Sequence, residues 1–117
     1  DKLIQNLSLE RLLSAVTILD VHKVIKIVGK MIERLEDSAK IHLSNNQRAT
    51  LYVHISALIE RLIRNDKPLE YAHVTDVEPR VQGLAQLRRA LSEIETTYGV
   101  TVPEGELNYL YDIVFTD

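Results

Sequence analysis

The strongest constraint on the fold is a run of apolar residues at three- and four-residue steps, in which Val21, Val24, Ile25, Val28, Ile32 and Leu35 follow Asp20. An α-helix turns by about 100° per residue, so this spacing lines the apolar side chains along one face, whereas a strand needs alternation at every second position. The spacing predicts a helix from about Val21 to Ser38, with the Asp20 carboxylate as N-cap. Lys23, Lys26, Lys30 and Arg34 fall on its other face and read as a solvated surface.

The same reasoning runs on along the chain. Ser44 and Gln47 stand at the spacing of a capping box, and Leu51, Ile55, Leu58 and Leu62 continue a stripe as far as Asn65. Lys67-Pro68 and the mixed stretch up to Thr75 break the pattern and predict a loop. A third helix is expected behind Asp76, with Pro79 in its first turn and a stripe of Val77, Val81, Leu84, Leu91, Ile94 and Tyr98. Gly99 suits the left-handed residue that ends such a helix. Pro103 suits the first position of a last helix carrying Leu107, Leu110, Tyr111, Val114 and Phe115.

Residues 1–19 read as a linker or a short helix, and residues 20–117 as a single helical domain. No strand-like alternation of useful length is present, and no repeat with a period of about 20 to 50 residues is visible. The expected fold is all-α, a bundle of about five helices with antiparallel neighbours.

At 117 residues the chain supports one core. No apolar run approaches the roughly 20 residues of a membrane span. The net charge of −3 lacks the field of a nucleic-acid-binding domain, so no direct contact with nucleic acid is expected. The absence of cysteine removes disulfides, thiolate nucleophiles and cysteine zinc sites, and agrees with a cytoplasmic setting. Because the chain opens on Asp1 and its only methionine is Met31, it is expected to be a piece of a longer protein.

Few residues suggest chemistry. His22, His42, His54 and His73 are separated by 20, 12 and 19 positions, so none forms a helical ligand pair, and neither metal nor cofactor is expected. Gly29, Gly83, Gly99 and Gly105 are isolated and cannot make a phosphate-cradling loop. Gly29 and Gly83 instead suit close helix crossings. Glu33, Glu36 and Asp37 lie on what reads as a solvated face, a poor setting for acid–base catalysis, and no enzyme is expected.

His54 is different. With His54 at zero, Leu51, Leu58 and Leu62 fall at about +40° to +80°, while Arg61 falls at about −20° and Thr50 at about −40°. The imidazole therefore sits on the border of the buried stripe, with Arg61 two turns further along the same line. Two readings stay open: a phosphoryl acceptor supported by the Arg61 charge, or a border histidine hydrogen-bonded to a neighbouring helix.

The stretch from Leu51 to Leu62, with His54-Ile55 followed by Arg61-Leu62, resembles the first histidine motif of the phosphotransferase-system regulation domain, the PRD. Ile94-Glu95, Tyr98-Gly99, Pro103-Glu104-Gly105-Glu106 and Tyr109-Leu110 resemble that family's later helix, its glycine stop, the start of its last helix and the aromatic position that follows. The resemblance implies an all-α regulatory domain, often a homodimer, phosphorylated on histidine by the phosphotransferase-system carrier protein HPr or a sugar-specific enzyme IIB.

The family's acceptor carries over to His54, and Arg61, by its phase on the same helix, is the phosphate-supporting residue. The family's second histidine is replaced by Ile113, beside Asp112, and the acidic residue that often precedes the first histidine is replaced by Val53. The likeness is greatest to the C-terminal PRD of sigma-54-dependent sugar-operon activators, with PRDs of RNA-binding antiterminators as close relatives. A histidine phosphotransfer domain would place Lys and Gly where Ala57 and Leu58 stand. A chorismate-mutase-type enzyme would need basic residues turned inward, whereas Lys23, Lys26, Arg64, Arg80 and Arg88 read as outward or border residues. A helical dimerisation module that is not phosphorylated is the third rival.

Overall fold

The structure is a computed structural model in which residues 20–67 and 78–116 are described. These residues form four helices: α1 Val21–Ala39, α2 Asn45–Ile63, α3 Glu78–Tyr98 and α4 Glu104–Phe115. No strand occurs among them. About five helices were expected, and the segment assigned to the extra one, residues 1–19, lies outside the described residues, as do the loop from Pro68 to Thr75 and the Asp76 cap.

Each helix buries its stripe between two neighbours. α1 packs on α3 and α2, and α4 packs on α3 and α2, so the four close into a ring with α1 opposite α4. Cross-helix contacts show that neighbours run antiparallel. Arg34 meets Glu93 and the Gln86 amide meets the Ser38 carbonyl between α1 and α3, while Arg80 meets Asp112 and Arg88 meets Glu104 between α3 and α4. Val28, Leu35, Leu51, Ile55, Leu87 and Leu110 meet in the centre with essentially no exposed surface. Burying side chains of this size supplies about 1.5–3 kcal/mol each, the main force closing the bundle.

Two phase assignments are corrected. Ile25 and Val81 were expected in the core, yet each is 49% exposed, and Ile27, Met31, Leu87 and Ala90 are buried instead. A helix with two neighbours buries a wide arc. With Val28 at zero that arc on α1 runs from about −100° at Ile27 to about +40° at Ile32, which leaves Ile25 just outside it. Pro103 is also one place off. It is the N-cap of α4, its carbonyl accepting the first helical bond from the Leu107 amide.

Gly29 and Gly83 lie at close crossings as expected. A β-carbon on Gly29 would stand 3.1 Å from the Tyr52 hydroxyl on α2, and one on Gly83 would stand 2.5 Å from the Tyr111 ring on α4.

The two helical hairpins, α1–α2 and α3–α4, are built alike. α1 ends on Lys40 at φ +58° and α3 on Gly99 at φ +66°, both left-handed. In each, the next amide, Ile41 or Val100, donates back to a glutamate carbonyl, Glu36 or Glu95. The side chain of that same glutamate then accepts, at 2.8 Å, the amide of a buried residue seven positions on, Leu43 or Val102. Each residue of the second hairpin therefore lies 59 positions after its counterpart, as Glu95 follows Glu36. A repeat this long exceeds the periods sought in the sequence.

Candidate functional site

α2 and α4 face each other along a polar seam that Gln47 opens. Ser44 caps α2 in a full capping box with Gln47, and the Gln47 amide reaches across to the carbonyls of Ile113 and Val114 at 3.1 and 3.2 Å. One side chain thus closes the start of α2 and satisfies two of the orphan carbonyls at the end of α4.

At the far end of the seam, Arg61 Nη2 donates to both carboxylate oxygens of Glu106 at 2.9 Å. Glu106 is only 2% exposed, while the Arg61 side chain is 37% exposed. A carboxylate this deep needs a compensating cation, and Arg61 supplies it.

Between these ends lies His54. It is half-buried, as its border phase requires, and its Nε2 stands 3.3 Å from the Tyr109 hydroxyl of α4. The two rings meet edge to face, centroids 5.0 Å apart at 68°. Both sequence readings therefore find a footing: the histidine is bonded to a neighbouring helix, but through one nitrogen and at the rim. Beside it Val53 is 66% exposed, with Ala49 and Ala57 on the same flank of α2.

Other histidines are placed differently. His22 is exposed in the first turn of α1, and His42 is exposed in the α1–α2 loop, 3.6 Å from Glu36. His73 lies outside the described residues. Among the described residues no cluster of three acidic or histidine side chains could hold a metal ion, and no helix is long and apolar enough to cross a membrane.

The 59-residue repeat maps His54 onto Ile113 and Tyr109 onto Thr50. Thr50 and Ile113 line a shallow open cleft together with Ser44, Asn46, Gln47 and Asp112. Asp112 is bonded to Arg80, which also donates to Asn108 and lies 4.4 Å over the Tyr111 ring. Arg80 stands at the border of α3, as expected, where it binds α3 to α4. Its Nε, Nη1 and Nη2 each donate to an α4 side chain.

The PRD domain family model matches residues 29–115, about three quarters of the chain. The chain belongs to the PRD family. The transcriptional regulatory protein DagR of Salmonella typhimurium (strain 14028s / SGSC 2262) is similar, 20% identical over 115 residues. That alignment takes in 98% of this chain and 12% of DagR, so the PRD spans a small part of that relative. No solved structure matches the chain.

Two residues of this PRD were not singled out as functional by sequence. Glu106 read only as part of a helix start, and Tyr109 only as an aromatic position. The available signal was their three-residue spacing, which puts both on one face of α4, toward Arg61 and His54.

Proposed function

We propose that this PRD is a regulatory domain of a bacterial transcription regulator and that its switch is phosphorylation of His54. The observation that carries the reading is the half-buried imidazole at the middle of the α2–α4 seam, held by Tyr109 through one nitrogen. The family membership and the likeness to a transcriptional regulatory protein support the setting. HPr or a sugar-specific enzyme IIB in the cytoplasm is the proposed donor. A sigma-54-dependent activator is the preferred host and an antiterminator the alternative, on motif resemblance.

A phosphoryl group brings roughly −1.5 to −2 charges. Set on His54, it stands one helical turn along the seam from the buried Glu106 carboxylate and competes with it for Arg61. Arg61 is thus proposed as the phosphate-supporting residue, one that must loosen an existing α2–α4 tie to act. The flank of exposed Ala49 and Val53 and half-buried Ala57 beside His54 is the surface through which that change reaches a second copy of the domain. Coupling on the order of 1–3 kcal/mol would shift a dimer equilibrium about 5- to 150-fold without unfolding either protomer.

Sedimentation equilibrium of the unmodified domain, the phosphorylated domain and a His54→Asp variant tests this mechanism. A change in association constant of that size, in the same direction for both altered forms, is expected. Equal constants in all three would refute switching through self-association of this domain.

A further inference from the structure

We propose that Tyr109 is a positioning residue that occupies Nε2 of His54 and so directs phosphoryl transfer to Nδ1. The inference rests on the reading of His54 as acceptor. Nε2 lies farther from the backbone than Nδ1 and is the nitrogen an approaching donor meets first on an unconstrained histidine. Here it is hydrogen-bonded to the Tyr109 hydroxyl at 3.3 Å. Among the described residues Nδ1 has no hydrogen-bond partner.

The chemistry of a neutral imidazole turns that asymmetry into a choice of atom. One nitrogen carries the proton and the other the in-plane lone pair that attacks phosphorus. In the tautomer with hydrogen on Nε2, the N–H donates to the tyrosine oxygen and the lone pair is left on Nδ1. In the other tautomer the tyrosine hydroxyl donates to Nε2, and its lone pair is engaged rather than free. Attack through Nε2 therefore needs the Tyr109 contact broken, whereas attack through Nδ1 keeps it.

In the transfer from phosphoramidate, the Nδ1 lone pair forms the new N–P bond while the reagent's own N–P bond breaks, and that electron pair leaves with the reagent's nitrogen. The proton stays on Nε2, so the product ring is cationic and donates to Tyr109. With phosphoramidate as donor, the leaving group is ammonia and charge balances.

The internal repeat provides an independent argument. It places Thr50 where Tyr109 stands and Ile113 where His54 stands. A phenol that can hold an imidazole edge thus stands opposite the histidine at one of the two repeat-related contacts between α2 and α4, and the other contact has Ile113 and Thr50, neither partner, in their places. The T-shaped ring contact also limits rotation of the imidazole, which would otherwise swing Nε2 away from the Tyr109 hydroxyl.

The isomer formed on the protein decides the matter. Proton–phosphorus correlation NMR separates Nδ1- from Nε2-phosphohistidine, and phosphoramidate serves as a small donor that needs no carrier protein. Wild-type protein treated with phosphoramidate should carry the phosphoryl group of His54 on Nδ1. Tyr109→Phe, which keeps the ring and removes the hydroxyl, should shift the isomer ratio toward Nε2 by roughly 2- to 12-fold, the worth of one hydrogen bond, while the urea midpoint of unfolding stays in the folded range. An Nε2 product on wild type, an unchanged ratio in Tyr109→Phe, or a His54 that phosphoramidate leaves unmodified would each overturn the proposal. An Nδ1 product from phosphoramidate with no transfer from HPr or enzyme IIB would uphold it and refute the acceptor reading alone.

Discussion

Replacing Glu36 by alanine should cost about 2–3 kcal/mol, and the structure says where that comes from. Its carboxylate accepts the amide of Leu43, a residue with 2% exposure, at 2.8 Å and Arg48 Nη2 at 2.9 and 3.1 Å. A hydrogen bond to a charged group contributes about 1.5–3 kcal/mol, and the loss falls on the amide of a buried residue. Arg48 is partly exposed, so its share is about 0–1 kcal/mol. Glu36→Gln keeps an acceptor for Leu43 and loses the charge, so it should cost about 1 kcal/mol. The counterpart Glu95→Ala should cost about 1.5–3 kcal/mol, because Arg88 lies 3.5 Å away and adds less.

Urea unfolding with an unchanged m-value reads these differences. The Leu43 amide, and after it Arg48, hold the Glu36 carboxyl below the usual glutamate value against the opposing effect of burial. A depressed native value means that the stabilisation is complete above the unfolded glutamate pKa and is lost as pH falls through the native one. Wild type and Glu36→Gln should therefore converge in acid. A Glu36→Ala or Glu95→Ala cost below about 0.5 kcal/mol, or a gap that widens in acid, would refute the shared hairpin architecture.

Other outcomes follow from the packing. Gly83→Ala should destabilise by about 1–2 kcal/mol, since Tyr111 is held between Arg80 and Phe115 and cannot yield freely, and overpacking outweighs the gain of about 1 kcal/mol in helix propensity. Gly29→Ala meets only the end of the Tyr52 side chain and should be near neutral in the same urea assay; equal costs at the two glycines would contradict the crossings described. The Tyr98 hydroxyl is buried with no partner among the described residues, and burial, with Asp20 nearby, raises its pKa. Tyr98→Phe should therefore cost nothing and stabilise by up to about 1 kcal/mol in thermal unfolding. A clear loss there would mean that the hydroxyl is bonded.

Much of this domain is legible in the sequence because helical periodicity and caps are local. The Ser44–Gln47 box, the Gly99 stop and the four helices described stand within a few residues of where spacing puts them. The border phase of His54 is legible for the same reason. What spacing cannot give is which helix lies opposite. Ile25 and Val81 were misplaced because the width of a buried arc depends on how many neighbours a helix has. Arg61 was read as free to meet a phosphate because Glu106 lies 45 positions away on a helix whose pairing with α2 no local pattern encodes. The 59-residue repeat was hidden because its halves share positions of burial and capping more than residue types, as Gln47 against Glu106 and His54 against Ile113 illustrate.

The most direct test of the central claim is to incubate the domain with phosphorylated HPr and, separately, with a phosphorylated enzyme IIB, and to map the label by tandem mass spectrometry across His22, His42, His54 and His73. An acid-labile, base-stable phosphoryl group on His54 with at least one donor, lost in His54→Ala, is expected. A label that persists in His54→Ala, or none on wild type with either donor, would contradict the account.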